Sequence, residues 1–126
     1  MRSLIIAFAL FFTVAAALSG AAGVLVTTSL FIADRSPQSA VSLNIHHFVS
    51  GVFLGISALL IAIEVQVIGL AKAAGALDLV TGQRVRMRIT WLLALLGIAG
   101  LFLCCVMALI TYGILARIDE GFAVFG

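Results

Sequence analysis

The residues in this chain whose types can do chemistry are few. They are two adjacent histidines, His46 and His47, one carboxylate in an apolar run, Glu64, and an adjacent thiol pair, Cys104 and Cys105. Glu64 lies in SALLIAIEVQVIGLAK, residues 57–72, with Gln66 two positions on and Lys72 beyond. An ionisable group inside a membrane is costly and often functional, so Glu64 is a candidate for handling a proton or a cation. The competing reading is a structural hydrogen bond, or an ion pair at the membrane edge. His46 or His47 could ligate haem iron or the magnesium of a chlorophyll-type pigment. Adjacent residues point about 100° apart on a helix, so bis-histidine haem would need a dimer or a partner's ligand. Here the competing reading is an interfacial pair bonded to headgroups, Asn44 or Tyr112. Tetrahedral zinc lacks further donors nearby, and no metal site is expected. The two thiols are too close along one helix to pair with each other, which leaves them a packing role.

These groups need elements to position them, and composition decides which elements. The chain has 126 residues, 64% hydrophobic and 10% charged, with a mean hydropathy of +1.34. A water-soluble domain carries about 25% charged residues, so there is too little polar surface to cover a soluble particle. Three long apolar runs account for most of the sequence: Leu4–Ile32, Phe48–Leu70 if Glu64 and Gln66 are tolerated, and Ile89–Ala116. Each reaches the roughly 20 residues that a membrane-crossing helix needs. The expectation is an all-α, polytopic integral membrane protein with one domain over residues 1–126. Helices are expected over about 3–32, 37–74 and 82–116, the second and third forming a hairpin. The basic, then apolar, then small-residue start of the chain resembles a secretory signal. Its apolar run continues to Ile32, however, and the segment is read as a retained first helix.

Local signals set the boundaries. Ser36 is a suitable N-cap with Pro37 at the first helical position. Gly75 is a stop, and Thr81 with Gly82 can open the third helix. Lys72, Arg84, Arg86 and Arg88 surround the second connection, against Arg35 alone in the first. By the positive-inside rule the second connection is cytoplasmic, the N-terminus is cytoplasmic and the C-terminus is outside. The arginine trio then binds anionic lipid headgroups. Trp91 and Tyr112 fall at opposite interfaces, where aromatic belts form. A tight hairpin turning between Gly75 and Gly82 puts Glu64 level with Leu93, near the inner edge of the membrane.

Helical phase puts His46, Ser50, Phe53, Ser57 and Glu64 on one face of the second helix. Gly51, Gly55, Ala58, Ala62, Gln66 and Gly69 form the opposite face, which includes a GxxxG pair. Small stripes on the first helix (Ala9, Thr13, Ala16, Gly20, Gly23, Thr27) and on the third (Thr90, Ala94, Gly97, Cys104, Ala108, Thr111) complete the pattern. The packing candidates are Gly20, Gly23, Gly51, Gly55, Ala58, Ala62, Gly97 and Gly100. Ordinary packing within the chain is the plainer reading of the GxxxG pair. With two faces that both look protein-contacting, the second helix is expected to be central.

The functional classes narrow accordingly. There is no nucleophile elbow, zinc-protease motif or phosphate loop, so no enzyme is expected. No broad basic surface supports nucleic-acid binding. In general character the chain is similar to a small three-helix subunit of a respiratory or photosynthetic assembly, a likeness of architecture that no motif carries. The expected role is an accessory or assembly subunit of a membrane complex, working by small-residue packing. Its partners would be lipids and other integral membrane subunits, or copies of itself, in a bacterial inner membrane or another energy-transducing membrane. One alternative is an anchor holding haem or a chlorophyll-type pigment through His46 or His47. Another is a small dimeric transporter or channel using Glu64. No cofactor is required by the sequence.

Overall fold

The computed structural model of the chain describes residues 2–32, 40–75, 79–121 and 124. Within them the protein is all-helical, with α1 Arg2–Ile32, α2 Ala40–Gly75 and α3 Leu79–Asp119. Each helix contains a segment long and apolar enough to cross a membrane: Ser3–Phe31, Leu43–Ala74 and Gly82–Asp119. The 36 residues of α2 and 41 of α3 give lengths of about 54 and 62 Å, beyond the roughly 30 Å hydrocarbon core. The expected cap at Ser36 and Pro37 lies outside the described residues. Thr81 does not cap α3, because the helix already runs from Leu79. At its far end α3 continues past Ala116 to Asp119. There the Gly121 amide donates to the Ile118 carbonyl at 2.9 Å. Gly121 has φ 84°, a left-handed stop that a side chain would strain. The Val124 amide donates to Ser29 Oγ at 3.3 Å.

The central helix is α1, not α2. It packs along both other helices, whereas α2 and α3 touch each other little. The physical reason is a repeat that small-residue spacing alone does not reveal. Phe8, Phe12, Ala15, Ser19, Ala22, Val26 and Ser29 are all buried. They alternate steps of four and three, a 3.5-residue period that keeps one seam facing its neighbours along a left-handed supercoil. Ile89, Leu93, Gly100, Met107 and Ile114 of α3 follow the same repeat and are also buried. α1 therefore lies between a hairpin's two arms.

Contacts fix direction and level. Glu64, Ser57, Phe53 and Ser50 of α2 bond to Thr13, Ala16, Ser19 and Gly23 of α1 in reverse order, so the two helices are antiparallel. Gly100 of α3 abuts Phe12, and Ile114 clusters with Ala22 and Val26, so α3 runs parallel to α1. The arms of the hairpin are thus antiparallel to one another. Trp91 and Tyr112, both well exposed, stand 21 residues apart on α3, about 31 Å. That separation matches the thickness of a bilayer's hydrocarbon core.

Candidate intramembrane polar site

The face of α2 that carries Ser50, Ser57 and Glu64 turns toward α1. Ser57 Oγ donates to the Ala16 carbonyl at 2.8 Å, and Ser50 Oγ donates to the Gly23 carbonyl at 2.8 Å. In the opposite direction, Ser19 Oγ donates to the Phe53 carbonyl at 2.6 Å. Ala16, Gly23 and Gly20 make room for this seam. A methyl at Gly20 would meet Ser57 Oγ at 3.5 Å, and one at Gly23 would meet the Ser50 carbonyl at 3.1 Å. Small residues let the backbones come close enough for hydroxyl-to-carbonyl bonds, which hold helices together where lipid removes the hydrophobic drive.

Glu64 ends this ladder. The Thr13 hydroxyl donates to Glu64 Oε1 at 2.9 Å, and both residues retain access to the surface. The expected position of Glu64, level with Leu93, needs correction. Thr13 follows Phe11 and Phe12, which pack on Gly100, and the Cys104 thiol donates to the Phe11 carbonyl at 3.0 Å. Glu64 is therefore level with the stretch around Gly100, roughly midway from Trp91 to Tyr112. A helix side chain leans toward its own N-terminus, which carries the carboxylate further from Lys72. Because α1 separates the arms, counting back from the turn underestimates the depth.

Beside this pair, a groove of about 310 Å³ runs between α1 and α2, lined by Thr13, Ala16, Ala17, Gly20, Ala21, Ser57 and Ile61. Thr13 belongs to both the groove and the carboxylate bond. A second groove, of about 320 Å³, separates α1 from α3 and is walled by Leu4, Phe11, Leu93, Gly97 and Ile98 among others. It has no titratable wall.

The other sequence candidates are dispersed. His46 is fully buried and already engaged by a partner, while His47 is exposed. They point to different surroundings, so they form no common site. Among the described residues no three His, Cys, Asp or Glu side chains could hold a metal ion together. Cys105 is exposed and Cys104 half-buried on Phe11. Arg84 and Arg88 are exposed, and Arg86 is half-buried. Of the expected packing residues, Gly20, Gly23 and Gly100 meet another helix. At Gly51, Gly55 and Gly97 an added methyl would have nothing within 4 Å. Ala58 and Ala62 are exposed too, so the GxxxG pair takes no part in packing among the described residues. On α3, Thr90 and Thr111 donate to carbonyls of their own helix, at Arg86 and Met107. Sequence reasoning missed Ser19 and Ser29 as buried hydroxyls, because α1 is apolar on every side and its sequence does not mark the buried seam. No family model, curated protein or solved structure matches the chain.

Proposed function

We propose that this chain is an accessory or assembly subunit of a larger membrane complex, docking a partner helix along the small-residue face of α2. One observation carries the reading. Gly51, Gly55, Ala58, Ala62 and Gly69 line one side of α2, all exposed, with no atom within 4 Å of the three glycines' open positions. A helix meeting only lipid gains nothing from such a stripe, whereas small residues at four-residue spacing let a second helix approach closely. Gln66 shares the face and supplies an amide for an interhelical hydrogen bond. The partner is another integral membrane subunit or a second copy of this chain. The cluster of Lys72, Arg84, Arg86 and Arg88 at one end supports a cytoplasmic location for that end.

The test is to purify the tagged protein in mild detergent from its own membrane, beside Gly55→Leu. A defined assembly, homomeric or heteromeric, should be recovered from the parent and lost from the variant while helicity is unchanged. Recovery of the same monomer in both would sink the proposal.

A further inference from the structure

We propose that the α1/α2 groove beside Glu64 is a binding site for a lipophilic monovalent amine that enters from the lipid phase. This stands apart from the docking face: the groove lies about a third of a turn around α2 from the Gly51–Gly55 stripe.

Three observations meet there. Glu64 is a carboxylate within the apolar span of α2, Leu43–Ala74, and its described partner, the Thr13 hydroxyl, engages Oε1 alone. No Lys or Arg occurs between Leu43 and Ala71 or between Ile89 and Ala116, and Lys72 is eight positions away along α2, about 12 Å. A carboxylate in an apolar span keeps its charge at least cost beside a positive group. The groove next to it is floored by Ala16, Ala17, Gly20 and Ala21, side chains too small to fill it themselves.

Size and chemistry select the occupant. At about 310 Å³ the groove stands at the lower end of small-molecule sites, roughly 300–1,000 Å³. From Thr13 to Ala21 it extends about 12 Å along α1, too short for a helix crossing the slab. A bare divalent ion would need about six to eight oxygen ligands, and the site offers one carboxylate with the Thr13 and Ser57 hydroxyls. An ammonium needs only hydrogen-bond acceptors, and one carboxylate neutralises one such charge. The ammonium sits on Glu64, and the apolar body lies outward over Ala17, Gly20 and Ala21.

The experiment uses the full chain in nanodiscs of neutral phosphatidylcholine. The probe is an alkyl primary amine carrying a dansyl fluorophore; the control is the matching dansyl alkyl alcohol. The amine should bind saturably to one site per chain, and the alcohol should only partition. Glu64→Gln keeps an oxygen for Thr13 and should weaken amine binding at least about tenfold. Ala17→Leu fills the groove from an exposed position and should have a similar effect. Amine uptake no greater than that of the alcohol in the parent protein would overturn the proposal, however the variants fold. Equal affinity in the parent and both folded variants would overturn it as well.

Discussion

Thr13 and Glu64 lie 51 residues apart in sequence and meet across the α1/α2 seam at 2.9 Å. The threonine is one residue beyond Phe12, whose ring packs on Gly100 in the middle of α3. A carboxylate that looks level with Leu93 when counted from the turn is thus held near the level of Gly100 by a hydroxyl of α1.

That bond should be measurable. Thr13→Val keeps the shape and removes the donor, and it should lower bundle stability by about 0.6–1.7 kcal/mol, the scale of interhelical hydrogen bonds in membranes. Thr13→Ser should recover most of the loss. Steric-trapping or detergent-unfolding measurements would check this, and equal stability of all three proteins would refute the pairing.

The register can be tested by cross-linking. The chain has two cysteines, so Cys104→Ser with Cys105→Ser gives a thiol-free background. A methyl at Gly20 would lie 4.0 Å from Ser57 Cβ, inside the roughly 3.5–4.5 Å range for disulfides. Gly20→Cys with Ser57→Cys should therefore oxidise readily. Glu64→Cys with Leu93→Cys should not, and the reverse result would restore the register counted from the turn.

Two classes of glycine should respond in opposite ways to alanine. At Gly100 a methyl would come within 2.9 Å of Phe12 Cδ1 and 3.0 Å of Phe11 Cβ. Phe12 is nearly fully buried, so Gly100→Ala should cost about 1–3 kcal/mol through overpacking. Gly51→Ala has open space and should be neutral or gain up to about 1 kcal/mol from helix propensity. Thermal unfolding of the monomer in detergent would compare them.

The thiols should also differ. Cys104 is half-buried and donates to the Phe11 carbonyl, while Cys105 is exposed. A membrane-permeant maleimide should label Cys105 well before Cys104, read by mass spectrometry on the parent and on each single serine variant. Faster labelling of Cys104 would contradict the α1/α3 packing.

The number of helices, their type and their capacity to cross a membrane were legible from the three uninterrupted apolar runs, because hydrocarbon leaves the backbone no choice but to bond within its own helix. Helical phase likewise placed His46, Ser50, Ser57 and Glu64 on one face of α2. Which face meets which neighbour was not legible. Apolar periodicity is nearly flat in a helix that is hydrophobic all round, and the seam of α1 mixes Phe8, Phe12 and Val26 with Ala15, Ser19 and Ala22, so neither polarity nor size marks it. The tertiary structure alone decided that α1 lies between α2 and α3, that Ser50, Ser57 and Glu64 of α2 bond to α1, and that among the described residues the Gly51–Gly55 face remains open. It also decided the depth of Glu64. Sequence counting measures distance along one helix from its turn, whereas depth depends on how a third helix spaces the two arms.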